Sequence, residues 1–413
     1  CVADLALMEC AVPVLSLPAF FTGAQRAHAL AQSGAQLIIR DRDGMLLRES
    51  LPGAGAAVVP AHTARISYTS GSIGAAKGIC LSAAHLLAVA RGVLNASAEA
   101  HGGRHLAILP PGVLLEDVAG CHAALLSGAT YIAASQRDVG LAAPFQPDFA
   151  RMAAAIEATR ATSLILVPEY LAGLVALLER SGKRLPQLTL VAVGGARVPA
   201  GLLVRARDAG LPVRQGYGLT ECGSVVTLHD GSADGVGSVG RALGAHSIRI
   251  ARDGEILIDG PLYLGTIGEP LPRAGRVARH ATGDIGRIDA DGRLWIEGRK
   301  SNLIVTSYGR NVSPEWIESL LLGQRAIAQA MVHGDGEAHL SALIVPRGHC
   351  DVEGIAAAVA AVNATLPEYA RIARWRIARP FTALKGELTG NGRLRRQQIL
   401  ANYPMEESAD AVL

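Results

Sequence analysis

The sequence predicts an α/β fold: a large domain of parallel and mixed sheets with helices and a small β-barrel, then a small α+β domain. Three observations carry this reading. Apolar runs at 13–17, 36–39, 106–109, 163–167 and 188–193 read as strands, and stretches of helical spacing at 2–11, 22–32, 82–94, 147–160 and 169–181 separate them. Such alternation belongs to parallel sheets joined by crossover helices. From Gly235 the texture changes to short strands and tight turns, with 286–289 hairpinned through Asp291-Gly292 to 293–296, as in an antiparallel barrel. A chain of 413 residues is also too long for one compact core.

The elements have local causes. Thr22 stands where an N-cap would open the helix through Gln32. The acidic neighbours Glu116 and Asp117 point to different sides of a helix and read as its solvated start rather than as an acid–base pair. The run 188–193 is apolar without a break, as in a strand buried on both faces, and it delivers Gly194-Gly195-Ala196. Small residues there let a flat ligand lie against the backbone, at the carboxyl end where open α/β sheets place ligands. A second strand near 212–214 leads into Gln215-Gly216-Tyr217-Gly218-Leu219-Thr220-Glu221, and alternating segments from 328 to 345 with a helix near 352–366 make the small α+β domain.

Composition bounds the function. With 50% hydrophobic and 18% charged residues the chain is globular, and a net charge of +3 with 4% aromatic residues offers neither a basic patch nor a stacking platform for nucleic acid. The cysteines at 1, 10, 80, 121, 222 and 350 form no Cys-x-x-Cys pair and read as buried thiols in a reducing cytoplasm. No apolar run is long enough to span a membrane. The chain opens on Cys1 without a charged leader and reads as cut into rather than targeted, so a cytoplasmic location is expected.

The chemistry is densest at 66–78. After a strand end at Ile66-Ser67-Tyr68, the residues Thr69, Ser70, Gly71, Ser72, Gly74 and Lys77 combine hydroxyls, glycines and one lysine. Glycines let backbone N–H groups turn toward an anion, hydroxyls donate further, and the lysine supplies a mobile charge, so this is a candidate phosphate loop. By composition alone it reads first as a solvated Gly/Ser turn between strand and helix. It is not a Walker loop, which needs glycine at Ala76 and a hydroxyl residue at Gly78. A dinucleotide-dependent oxidoreductase is disfavoured, because no Gly-x-Gly-x-x-Gly turn follows a first strand.

The stretch 68–78, the block Tyr217-Gly218-Leu219-Thr220-Glu221, Thr282-Gly283-Asp284 and Gly298-Arg299-Lys300 together resemble the signatures of the AMP-forming adenylating enzymes, the acyl-CoA synthetase and adenylation-domain family. The resemblance covers nearly the whole chain, with Ser72, Ile73 and Ala76 departing from the usual loop. It implies a large domain over 1–298, lacking the family's first strands, and a small mobile domain over 299–413. By the same resemblance the loop holds the ATP phosphates, Thr220 the α-phosphate and Glu221 a Mg²⁺ ion. Gly194, Gly195, Ala196, Gln215, Gly216 and Tyr217 surround adenine and ribose, and Asp284 and Arg299 hold the ribose hydroxyls. Gly194, Ala196 and Gly218 leave room for the acyl chain, and Lys300 is the hinge. The block 306–318 is closest to long-chain fatty acyl-CoA synthetases, in which the glycine at Gly309 helps form the pantetheine tunnel.

One departure stands near the end. In Leu388-Thr389-Gly390-Asn391-Gly392-Arg393-Leu394-Arg395-Arg396, Arg393 occupies the place of the family's catalytic lysine. Its planar fork is not equivalent to a compact ammonium, and Lys385 is the alternative cation. The expected activity is ATP- and Mg²⁺-dependent activation of a carboxylic acid, fatty or related, with transfer to the thiol of coenzyme A or of the phosphopantetheine on an acyl-carrier protein. The rival expectation is an adenylation-impaired homologue that binds nucleotide and acyl group.

Overall fold

The computed structural model describes all residues except 19–20, 43–44, 52–56, 58, 69–76, 98–102, 143–145, 270–278, 349, 390–391, 404–410 and 413. Its centre is a seven-stranded sheet in the order Arg241–Ala242, Thr227–Leu228, Val213–Tyr217, Leu190–Val193, Ser163–Leu166, Arg104–Leu106, Thr130–Ile132. The last five of these run parallel. Side chains alternate across the sheet, so successive apolar residues feed different cores. Leu164, Leu166, Val191 and Val193 pack with the helices Phe149–Ala158, Pro168–Ser181 and Ala200–Asp208, while Ile165 and Ala192 face the helix Ala83–Ala96 and the π-helix Glu116–His122. This is why 188–193 reads as apolar throughout: both faces are covered.

The helices begin where local chemistry starts them. Thr22 and Gln25 exchange hydrogen bonds in a capping box, Ser82 accepts from His85 N–H at 3.2 Å, and Asp148 accepts from Arg151 N–H at 2.9 Å. Two strands depart from the expected parallel pattern. Leu37–Arg42 lies outside the central sheet and pairs antiparallel with Met45–Ser50 in a two-stranded hairpin, a partner signalled by Asp43-Gly44 between two apolar runs. Gly78–Ser82, read as part of the approach to a helix, is a strand that pairs antiparallel with Thr63–Tyr68. The candidate phosphate loop therefore joins two strands of one sheet, to which Val14–Leu15 and Gly265–Thr266 add the edges.

The region expected to be a β-barrel is, among the described residues, an open antiparallel sheet of Ser247–Ile250, Glu255–Asp259, Arg279–Ile288 and Leu294–Arg299. Its last strand bonds onward to the central sheet's flank, through Val239 N–H to Leu294 O at 2.9 Å and Leu294 N–H to Gly240 O at 2.8 Å, instead of closing on its first. The C-terminal part is α+β. The sheet Ile327–His333, Leu340–Pro346, Ile372–Ile377, Ala411–Val412 packs Val332, Ile344 and Trp375 against the helices Pro314–Leu322 and Val352–Asn363. Cys80, Cys121 and Cys222 are buried as expected, but Cys350 is only half-buried, and Cys1 and Cys10 are exposed at the two ends of the helix Val2–Glu9, none of whose residues is buried. Among the described residues, no helix is long and apolar enough to cross a membrane.

The expected solvated start at Glu116 and Asp117 is overturned: both are buried inside the π-helix. Glu116 Oε1 meets His105 Nε2 at 3.1 Å and accepts from Tyr131 Oη at 3.4 Å, and His105 Nδ1 meets Ser163 Oγ at 2.9 Å. Asp117 pairs with the buried Arg65 at 2.6 Å, and Arg65 also binds Asp4 and Ser16. The two carboxylates do point to different sides, but both sides are protein. Local sequence shows two adjacent acids, whereas their partners come from elements more than ten residues away.

Two outcomes follow from this buried layer. A methyl group at Gly120 would overlap Glu116 Oε1 and stand 2.8 Å from His105 Nε2. Gly120→Ala should therefore lower stability by about 2–3 kcal/mol in urea unfolding, and an unchanged midpoint would show that Glu116 is free to move. Burial pushes the Asp117 carboxyl up to about 7 against the opposing pull of Arg65. A raised carboxyl favours the protonated fold, so its contribution is complete below about pH 4 and is lost as pH rises through about 7. Asp117→Asn should flatten the fall in stability across that window, and equal slopes in the two proteins would refute the assignment.

Candidate functional site

The parallel strands Leu190–Val193 and Val213–Tyr217 run in register, Gln215 beside Val193, so Gly194-Gly195-Ala196 and Gln215-Gly216-Tyr217 emerge side by side. Gly195 takes φ +84°, a left-handed turn that glycine adopts without strain. From the antiparallel sheet comes Thr282-Gly283-Asp284. Thr282 Oγ1 donates to Ile256 O at 2.8 Å and accepts from Asp284 N–H at 3.0 Å, while Gly283 N–H donates to Glu255 Oε1 at 2.9 Å. These bonds fix the strand where Asp284 projects.

Asp284 is the centre of the site. Tyr217 Oη donates to its Oδ2 at 2.6 Å, and Arg299 Nε pairs with its Oδ1 at 2.8 Å from the directly opposed register position. Burial raises the Asp284 pKa, opposed by Arg299 and by the Tyr217 hydrogen bond; burial and then Asp284 raise that of Tyr217. A carboxylate has about four acceptor positions, so two remain for a ligand's hydroxyls.

Thr220–Cys222 forms a single 3₁₀ turn closed by Gly223 at φ +72° and tied to the next sheet by Tyr263 N–H donating to Glu221 O at 2.8 Å. Among the described residues the Glu221 carboxylate has no hydrogen-bond or ion-pair partner, which suits an oxygen ligand for a hard cation. Thr69, Ser70, Gly71, Ser72 and Gly74 lie outside the described residues. Lys77, just past them, pairs with Glu269 at 3.1 Å, an exposed contact that the sequence reading did not anticipate.

The C-terminal domain supplies the remaining cation. Leu388 and Leu394 meet in an antiparallel bridge, with Thr389 N–H donating to Arg393 O at 2.8 Å and Arg393 N–H to Thr389 Oγ1 at 3.0 Å. The guanidinium of Arg393 then donates to Gly195 O at 3.0 Å, across 198 residues of sequence. The packed surroundings, then Arg299, lower its pKa, and Asp284 opposes them. Arg393 thus stands with Arg299 and Asp284, whereas Lys385 is exposed and has no ion-pair partner among the described residues. Residues passed over in the sequence hold this hairpin. Arg396 binds both oxygens of buried Glu318 at 2.7 and 2.6 Å, and buried Glu387 accepts from Thr382 N–H at 2.9 Å and Asn402 Nδ2 at 3.0 Å.

Other expected residues fall into place differently. Lys300 bonds Asp253 at 2.6 Å and Glu255 at 3.0 Å, which pins the expected hinge beside the strand that supports Gly283. Gly309 takes φ +71° in an exposed turn between Ile304–Val305 and Asn311–Val312. At Gly218 a side chain would overlap the Ser224 carbonyl oxygen, so the expected opening for an acyl chain is filled on that side and its smallness serves the chain itself. At Gly194 a side chain would meet Gly216 O and Leu115, at the head of the π-helix, at ordinary contact distance; no motif marked Leu115 as its neighbour.

Known proteins resemble this chain in sequence and fold. The AMP-binding enzyme family matches residues 1–299, and the AMP-binding enzyme C-terminal domain matches 301–408. A putative fatty-acid–CoA ligase, fadD11 of Mycobacterium tuberculosis, is 28% identical over 420 residues, covering 85% of this chain and 74% of that protein. Long-chain-fatty-acid–CoA ligase FadD15 of Mycobacterium bovis is 38% identical over 158 residues, covering 37% of this chain and 26% of that protein. Indoleacetate–CoA ligase of Aromatoleum aromaticum is 32% identical over 288 residues, covering 65% of this chain and 54% of that ligase. The matches thus span about a quarter of FadD15 and about half of the indoleacetate ligase. The fold is that of o-succinylbenzoate CoA synthetase from Bacillus subtilis, solved with an acyl-adenylate intermediate, at a TM-score of 0.77 and 21% identity over 100% of this chain and 86% of that one. With both of its parts matched, the chain belongs to the AMP-binding enzyme family.

Proposed function

We propose that the protein is an AMP-forming acid–thiol ligase that activates a fatty or related carboxylic acid with ATP and passes the acyl group to coenzyme A. The observation that carries this reading is Asp284, held by Tyr217 and Arg299, with Arg393 standing over the same cleft on Gly195 O. Asp284 is built to accept from two ribose hydroxyls, and Gln215 Oε1, buried and unpartnered among the described residues, is an acceptor for an amino group such as adenine's. A Mg²⁺ ion would be held by Glu221 and would offset phosphate charge.

In the first half-reaction a carboxylate oxygen of the acid attacks the α-phosphorus of ATP, the bond to pyrophosphate breaks, and an acyl-adenylate forms. Thr220 would donate to the α-phosphate, and Arg393 would bridge it and the incoming carboxylate. Catalysis is by positioning and charge neutralisation, with no protein nucleophile. In the second, the thiol attacks the acyl carbon, its proton goes to solvent, and AMP leaves. Arg393 occupies the mouth of the cleft, so a thiol needs the 299–413 unit to turn away, with Lys300 as pivot and Gly309 beside the pantetheine path. The fatty-acid and coenzyme A assignments draw on the names of the relatives, and an acyl-carrier protein is the alternative acceptor. The proposal puts the reaction in the cytoplasm, where ATP and coenzyme A meet.

Pyrophosphate release with a panel of acids tests this reading. Glu221→Gln should abolish Mg²⁺-dependent turnover with the fold intact, and unchanged turnover would move the metal elsewhere. Arg393→Ala should slow adenylation about 100-fold, the value of a single preorganised donor, and Arg393→Lys should match or exceed the parent. Pyrophosphate at background in parent and variants alike is the result expected of an adenylation-impaired binding homologue.

A further inference from the structure

The turn that carries Thr220 and Glu221 rests on a buried residue with no part in the motifs. His85 is the third residue of the helix Ala83–Ala96, its backbone N–H held by Ser82 Oγ, and its imidazole is buried. Gly223, which closes the turn, lies directly on that ring: a methyl group added there would stand 2.8 Å from His85 Nε2 and 3.1 Å from Val89 Cγ2. The turn is braced from its other side as well. His246 meets His85 edge-on with ring centroids 6.0 Å apart, its Nε2 bonds Pro261 O at 3.0 Å, and Tyr263, two residues on, donates its N–H to Glu221 O at 2.8 Å.

The ring acts on the turn through a carbonyl. Cys222 is fully buried, and among the described residues no backbone N–H donates to its oxygen. Burial holds the His85 pKa down to about 4, His246 adds to the shift, and the Cys222 backbone opposes it. Of the two backbone groups, only a carbonyl facing an N–H favours the charged imidazole, so the group concerned is Cys222 O. The ring is therefore neutral, with its single N–H turned to the end of the turn. As it stands the contact is long, since neither ring nitrogen makes a full hydrogen bond among the described residues. Buried donors in this condition are costly, and the hydrogen bonds of active sites tighten when their ligands arrive.

We propose that His85 is a positioning residue for the metal: its N–H takes the Cys222 carbonyl and so fixes the turn from which Glu221 presents its carboxylate to Mg²⁺. The inference rests on the ligase reading, which gives Glu221 that role. His85 itself touches no ligand and acts through the backbone between Glu221 and Gly223. A ring that only filled space could be replaced by any apolar side chain of similar length, whereas a donor could not.

Glutamine and methionine are nearly equal in length and differ in the amide N–H, so His85→Gln and His85→Met separate the two roles. Calorimetry of ATP binding to the full chain, with and without Mg²⁺, reads the effect without turnover. The factor by which Mg²⁺ tightens ATP should fall about tenfold in His85→Met, the worth of one hydrogen bond, and stay at the parent value in His85→Gln. Taking this ratio cancels any loss of ATP affinity that is independent of the metal. Circular dichroism confirms the fold of each variant, and His85→Leu replaces His85→Met if the latter does not fold. An unchanged ratio in the donorless variant, or an equal fall in His85→Gln, would overturn the proposal. A parent whose ATP binding ignores Mg²⁺ would overturn it together with the role of Glu221, whereas a parent that binds Mg²⁺ and ATP but releases no pyrophosphate refutes the ligase reading alone and leaves the His85 comparison decisive.

Discussion

The carboxylate of Asp284 is the joint on which the rest of the molecule depends. Tyr217 reaches it from the central parallel sheet, Asp284 itself belongs to the antiparallel sheet, and Arg299 stands at the entrance to the C-terminal domain. Three units of the chain thus converge on one buried acid. Burial works against its charge, and Arg299 and the Tyr217 hydrogen bond oppose that shift from positions already in place. A ligand that brings two hydroxyls meets acceptors that need no rearrangement, which is the physical content of preorganisation.

The opposite wall is held by charges with no direct part in the chemistry. Arg65 lies three residues before Tyr68, at whose end the loop 69–76 begins, and its partner Asp117 lies two residues after Leu115, which faces Gly194. One buried contact therefore couples the strand leading to the loop with the residue that packs near Gly194. Arg65 serves Asp4 as well, so removing it would take the shared cation from two carboxylates at once. The Glu116–His105–Tyr131 group does the same between the π-helix and the strands beneath it. The π-helix is a rare geometry, found mostly as single turns inside α-helices.

Arg393 depends on a similar foundation. Its reach to Gly195 rests on a short turn whose neighbours are anchored by Glu318 with Arg396 and by Glu387 with Asn402. Of the neighbouring arginines in 393–396, one is turned into its own domain as a strut and another faces the other domain. Residue type does not distinguish them, since both carry the same fork; the position of Glu318 does.

Much of this was legible in the sequence where the cause is local. The strands at 163–166 and 190–193 follow from uninterrupted apolar runs, the helix starts at Thr22, Ser82 and Asp148 from capping chemistry, and Tyr217, Asp284 and Arg299 from compact blocks that keep their spacing. Other features had no local signature. That Glu116 and Asp117 are interior and that Gly218 is filled by Ser224 O were decided by packing. The reason is range: hydrophobic period and cap residues report on the few positions around them, whereas the partner of a buried charge is chosen by whichever distant element the folded chain brings within about 3 Å.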